Sequence, residues 1–258
     1  MKMLFLLTLL PLPPCALGAA PGAGEPPALV FVMQPFPPYT ATENGQPSGF
    51  FADVMHEVCN SMQARCRIEI YPWRRALAMT MGGGVDGALM IRKTPERLLA
   101  LHFSPAIVQS SYVLYAQQQS TLRYAGPADL AGYTVAAYGP SGTSRAAEAL
   151  VQKIPGARFQ LEIDNQTALR KLRSGRYGKK AVVVINKDLG QYLLRQEGGA
   201  ALKQIGELEP VEYYIALSRK RLPQQQVERF NSILLERMRD GTIAAIARKY
   251  GLKAARAD

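Results

Sequence analysis

Ala28-Leu29-Val30-Phe31-Val32-Met33 is an unbroken apolar run, closed by Pro26-Pro27 before it and Gln34-Pro35 after it. A run of this length, rich in β-branched residues and bounded by prolines, predicts a buried strand. Downstream, Phe50, Phe51, Val54, Met55, Val58, Cys59 and Met62 recur at helical spacing, ahead of a strand-like stretch at 67–71. Residues 73–81 predict a short helix that stops at Gly82-Gly83-Gly84, and an apolar strand follows at 88–91. Strand, helix, strand, helix, strand is the order of a parallel-leaning sheet covered by helices.

The pattern then restarts. Strands are expected at 112–116 and 134–138, helices at 143–153 and 165–174, an apolar strand at 181–185, a helix at 188–196 and a last strand at 213–217. From Pro223 the chain reads as helical. Val227, Phe230, Ile233, Leu234 and Met238 form one apolar stripe, and a second helix at 242–250 is closed by Gly251. The expectation is an α/β protein of two lobes with a helical tail and no short-period repeat.

Composition narrows the class. The chain has 258 residues, 48% of them hydrophobic, with 31 Lys+Arg against 20 Asp+Glu for a net charge of +11. That excludes disorder and collagen-like repeats, and 3 Cys exclude a disulfide-dense mini-scaffold. With 2 His there is little for a multi-histidine metal site. Lys2, the apolar run at 3–12 and the small residues around Ala16-Leu17-Gly18 have the layout of a secretory signal peptide over 1–18, cleaved after Gly18. Pro14 before Cys15 argues against lipid attachment. In an oxidising compartment Cys59 and Cys66 can close a small loop; the alternative is two free core thiols.

Several segments together resemble a known family. They are Pro37-Pro38-Tyr39, Gly49-Phe50-Phe51-Ala52-Asp53, Trp73, Val85-Asp86-Gly87-Ala88, Thr94-Pro95-Glu96-Arg97 and Phe103-Ser104-Pro105. Gly142-Thr143-Ser144, Asp240-Gly241-Thr242 and Lys249-Tyr250-Gly251 follow. In order and spacing they resemble the bacterial periplasmic solute-binding proteins of the polar amino-acid type, family 3, and the Cys59/Cys66 spacing resembles that of its histidine and lysine/arginine/ornithine branch. The resemblance implies a two-lobed, type II periplasmic-binding-protein-like fold with two hinge strands, near 108–112 and 214–217, and a ligand cleft between the lobes. Residues 26–110 and 217–258 would build lobe 1 and residues 111–216 lobe 2. It further implies a periplasmic monomer without a cofactor, whose closed, loaded form docks on an inner-membrane ABC permease.

Carried over residue by residue, Arg97 is the clamp for a ligand carboxylate, since a guanidinium offers two parallel donors to a planar anion. The plain alternative is a surface arginine paired with Glu96. Gly142, Thr143 and Ser144 stand at a predicted helix start, where free N–H groups and hydroxyls receive an anion; Thr143 or Ser144 would also serve as N-cap. Arg145 reads as an exposed helix position that could add charge. Phe36, Tyr39 and Trp73 match aromatic cleft walls, with core packing as the alternative. The positions before Thr94, usually small or hydroxylic, are Met90, Ile91, Arg92 and Lys93. Asn186, with Asp188 as second choice, stands where the family places an acid for the ligand amine, and the turn at 175–180 lacks its usual Asp. A cleft so enriched in positive charge suits an acidic amino acid or a small organic acid and does not suit a dibasic amino acid.

Other classes fit less well. Secreted cyclohexadienyl dehydratases resemble the same fold, but the chain has no HExxH, paired-Cys or GxSxG motif, and His56 and His102 lack evident partners. Nucleic-acid binding rests on charge alone, and the longest basic run is Arg219-Lys220-Arg221. A ligand-presenting partner of a separate receptor is the remaining alternative.

Overall fold

The computed structural model describes residues 28–196 and 201–257; the signal-peptide reading and Cys15 lie outside them. The first half runs β1 (Leu29–Met33), the hairpin β2 (Ala41–Glu43) and β3 (Gln46–Ser48), α1 (Phe50–Ser61), β4 (Cys66–Ile70), α2 (Trp73–Gly82), β5 (Gly87–Ile91), α3 (Pro95–Ala100) and β6 (Leu101–Phe103). The middle runs β7 (Val108–Gln117), β8 (Thr134–Tyr138), α4 (Gly142–Val151), β9 (Arg158–Glu162), α5 (Asn165–Arg173), β10 (Ala181–Asn186), α6 (Lys187–Gln196) and β11 (Leu202–Ser218). The chain closes with α7 (Gln224–Arg239), α8 (Thr242–Lys249) and β12 (Lys253–Ala254).

The strands form one continuous sheet in the order β4-β1-β5-β11-β7-β10-β8-β9. β1 lies between β4 and β5, parallel to both, which is why its run is apolar throughout: Phe31, Val32 and Met33 are fully buried. At the other end β8 lies between β10 and β9, again parallel to both. The two parallel sets are joined by β7 and β11, which pair antiparallel along their length. Beyond Tyr213, β11 leaves β7 and pairs with β5 and β6, so this one strand belongs to both sets.

Helices cover the sheet with the faces their patterns predict. α1 buries Phe50, Phe51, Val54, Met55, Val58 and Cys59. The glycine run does stop α2: Gly83, at φ 82°, takes the left-handed conformation that ends the helix. Helices α7 and α8 pack on α1, and the carboxylate of Asp53 accepts bonds from Lys249 Nζ and the Tyr250 hydroxyl, both at 2.8 Å. Two of the segments that carried the resemblance therefore hold each other. A third, Asp86, is buried and accepts bonds from the Val30 amide (2.8 Å) and Arg221 Nε (3.1 Å), so it ties β1 to the turn after β11.

Several elements depart from the sequence reading, the hairpin β2–β3 and the short strands β6 and β12 among them. The last strand spans Leu202–Ser218 where 213–217 is expected, because Gly206 and Pro210 read as breakers yet sit beside register shifts in the β7 ladder. Gly206 is held against the Tyr124 ring, where a Cβ would lie 2.7 Å from Cδ1. β9 is an edge strand too weakly apolar to stand out, and 95–100 is a short helix beyond its Thr-Pro turn.

Cys59 at the end of α1 and Cys66 at the start of β4 are joined as a disulfide, with Cα atoms 6.2 Å apart. Closing so short a loop restricts the unfolded chain by about 2–3 kcal/mol. The Cys59→Ser/Cys66→Ser variant is expected to melt about 5–10 °C lower, and non-reduced peptide mass spectrometry should show the linked pair.

Candidate functional site

In a parallel set, the groups that meet a ligand collect beyond the carboxyl ends of the strands. Here the two sets point those ends at each other across β7 and β11. Gln34 and Phe36 follow β1, Trp73 opens α2 after β4, Met90 and Arg92 end β5, and Tyr138, Pro140, Ser141, Gly142 and Thr143 follow β8. With Arg97, Tyr112, Arg145 and Tyr213 they enclose a cavity of about 100 Å³. Seven of the ten expected site residues thus meet at one place: Phe36, Trp73, Met90, Arg92, Arg97, Gly142 and Thr143.

Local structure explains each placement. Thr94 is the N-cap of α3, its hydroxyl accepting from the Arg97 amide at 3.3 Å, with Pro95 as the first helical residue. That turn sets Arg97 into the cavity, only 8% exposed. Its Nη1 donates to the Arg92 carbonyl at 2.8 Å, and its guanidinium lies 5.3 Å over the Trp73 ring. The Glu96 pairing is not formed: among the described residues no ion pair includes Arg97. Burial lowers the Arg97 pKa, and the neighbouring charge of Arg145 lowers it further.

Met90 sits at φ 57°, an unusual left-handed backbone for this residue type, where the register of β5 against β11 shifts. Such a bulge re-aims the residues beside it. Beyond it Arg92 donates to the Tyr112 hydroxyl at 3.0 Å, lies 5.2 Å over that ring and reaches Glu209 at 3.6 Å. Across the cavity the α4 N-terminus is packed against these groups. A Cβ on Gly142 would lie 2.6 Å from the Tyr112 hydroxyl and 3.0 Å from Arg92 Nη1, so the close approach requires glycine.

Three expected residues lie elsewhere. Ser141, not Thr143 or Ser144, is the N-cap of α4, and Ser144 is consumed in a reciprocal capping box with it. Tyr39 is fully buried, edge-on to Tyr213 at 5.2 Å, because the turn from Phe36 to Thr40 presents Phe36 to the cavity and turns Tyr39 inward. Its hydroxyl donates to Asp188, and burial followed by the Asp188 charge raises its pKa well above the ordinary value. Asn186 is buried too. Its Nδ2 donates to Ser110 (3.1 Å) and Tyr213 (3.2 Å), and its Oδ1 accepts from the Leu189 amide (3.0 Å). Asp188 itself accepts from both Tyr39 and Ser110 and lines a second cavity of about 660 Å³. That cavity shares Arg92 with the first and mixes Lys93, Lys187 and Lys253 with Asp188, Glu207 and Glu212.

Sequence reasoning missed Gln34, Tyr112, Tyr138, Pro140, Ser141 and Tyr213. Tyr138 ends a recognisable strand, so its edge position was legible; the inward turn of Tyr112 and Tyr213 depends on how the two sets join. Arg145, read as an exposed helix position, is solvent-exposed and also lines the cavity.

The family model described as bacterial extracellular solute-binding proteins, family 3, matches residues 29–253. The chain belongs to that family. Solved structures share the fold. A histidine kinase sensor domain with similarity to periplasmic binding proteins is 22% identical, with a TM-score of 0.74 over 88% of this chain and 98% of that one. A mutant of ArgBP from T. maritima is 21% identical, with a TM-score of 0.71 over 87% and 95%. An ancestral amino-acid-binding protein, a precursor of cyclohexadienyl dehydratase, is 18% identical, with a TM-score of 0.71 over 86% and 94%. The architecture is thus the two-lobed periplasmic-binding-protein fold, and the family supports a solute-binding role. No curated protein matches the chain. Among the described residues no helix is long and apolar enough to cross a membrane.

Because Tyr39 serves the buried Asp188 network and does not line the cavity, Tyr39→Phe is expected to cost about 2 kcal/mol of stability in chemical denaturation. The emission of Trp73, the single tryptophan, should stay unchanged in that variant.

Proposed function

We propose that this protein is a periplasmic solute-binding protein, exported on a cleaved leader over residues 1–18. It would capture a small carboxylate-bearing solute, an amino acid or a small organic acid, and deliver it to an inner-membrane ABC importer. In this reading residues 26–110 and 217–258 are the first lobe, residues 111–216 the second, and β7 and β11 the hinges that let one close on the other.

The observation that carries the reading is the buried, unpaired Arg97 guanidinium, stacked on Trp73 and aimed into a cavity lined from both halves of the sheet. A cation held there without a counter-ion is set up for an anion that arrives from outside. The lining also favours binding over catalysis. Among the described residues it offers arginines, tyrosines, hydroxyls and Gln34, but no His, Asp, Glu, Cys or Lys to move a proton near neutral pH. His56 lies exposed on α1 and His102 half-buried on β6, both outside the cavity.

Mass spectrometry of small molecules released on denaturing the purified protein is expected to yield a carboxylate-bearing compound. Arg97→Ala should lose about 100-fold or more in affinity for it while keeping its circular dichroism spectrum. Retained tight binding would refute the assignment of Arg97, and turnover of prephenate or arogenate would replace the binding reading with an enzymatic one.

A further inference from the structure

We propose that the solute is a short dicarboxylate without an amino group, one carboxylate held by Arg97 and the other by Arg145 with Arg92. This deepens the solute-binding reading of the same cavity and rests on it.

The first support is the charge of the lining. Three guanidiniums face a small cavity with no carboxylate among its lining residues. Arg92 has Glu209 at 3.6 Å as a partly exposed partner outside the cavity. Among the described residues neither Arg97 nor Arg145 belongs to any ion pair. One carboxylate would compensate Arg97 and leave Arg145, on the solvent side of the cavity, facing the like charges of Arg97 and Arg92. Like charges disfavour one another there, so a second anionic group would relieve the repulsion between Arg145 on α4 and the Arg92 and Arg97 side of the cavity.

The arrangement of the cations supplies the second support. Arg97 follows β5 on α3, and Arg145 lies on α4 after β8, so they belong to opposite parallel sets. Phe36 and Trp73 line the same space and suit a short hydrocarbon link between two separated acids. Gln34, Ser141 and Thr143 add neutral polar groups to the lining.

Third, the two groups the sequence offered for an ammonium, Asn186 and Asp188, are already committed. Asn186 spends both ends of its amide on Ser110, Tyr213 and Leu189. Asp188 holds the Tyr39 and Ser110 hydroxyls and faces the larger, charge-mixed cavity. An α-amino group in the arginine-lined cavity would add a fourth cation without a partner.

The test uses protein stripped of endogenous solute by unfolding and refolding, with Trp73 emission and calorimetry as readouts. Succinate and glutarate are compared with aspartate, glutamate, butyrate, lysine, arginine and inorganic phosphate. The dicarboxylates are expected to bind at least about ten-fold tighter than the amino acids of equal length, a difference of one decade in Kd. Arg145→Gln should weaken the dicarboxylates by about ten-fold or more and leave butyrate unchanged, while Arg145→Lys recovers part of the loss. Tighter binding of glutamate than glutarate, or of lysine or arginine, overturns the proposal and leaves the solute-binding reading standing. So does an Arg145→Gln variant that is folded and binds glutarate normally, or a preference for inorganic phosphate. If no compound binds and the purified protein releases no solute, both readings fail.

Discussion

The antiparallel ladder of β7 with β11 is the constraint on which the remaining geometry depends. A parallel α/β unit exposes one functional edge, the carboxyl ends of its strands, and a single unit can grip a ligand from one side only. Running one long strand out of each set and pairing the two antiparallel turns these edges toward each other. The same ladder supplies the floor of the cavity, since Tyr112 and Tyr213 project from it toward the residues of both sets. Its irregularities are concentrated near that floor: β11 shifts register around Glu209, whose carboxylate reaches Arg92. Through the side chains of Glu209 and Tyr112 the ladder meets Arg92 of the cavity.

A site that gathers guanidiniums without acids is expensive for the empty protein. Arg97 is buried with one carbonyl and an aromatic face for company; burial and the charge of Arg145 work against it, as does Arg92, and the nearby charge of Glu96 opposes them. Natural sequences break the rule of charge compensation where the missing partner is a ligand. The contrast with Asp188 makes the point within one molecule. That carboxylate receives two hydroxyl donors from its own chain and is thereby part of the framework. Binding an anion at Arg97 should therefore stabilise the fold as well as occupy the site, because only the folded chain assembles the three cations.

Much of this was legible from residue pattern. The apolar run through Val32 announced a central strand, the spacing from Phe50 to Cys59 announced the helix over it, and Thr94-Pro95 announced the turn that aims Arg97. These are local signals, set by periodicity, capping and the fixed φ of proline. What the pattern could not carry was direction across the seam. Tyr39 and Phe36 are three residues apart and equally aromatic, yet one faces the cavity and the other packs on Tyr213, a choice made by the turn between them. Arg145 read as an exposed helix residue that could add charge, and its place in the cavity lining beside Arg97 depends on another part of the chain. Gly206 and Pro210 misled in the opposite sense: residues that break isolated strands were absorbed at irregular places in a ladder already fixed by its neighbours.

The bond from Lys249 and Tyr250 back to Asp53 crosses nearly 200 residues of chain. Helix α1 packs on α7 and α8, and β5 pairs with the end of β11, so the β4-β1-β5 set waits for partners made at the far end of the polypeptide. The β10-β8-β9 set draws its strands and helices from one continuous stretch. Contacts of such different sequence separation order themselves in time, the local before the distant. On a ribosome the segment made first is then the last to find its final surroundings, and until the closing helices emerge it remains available to whatever machinery handles an unfinished chain.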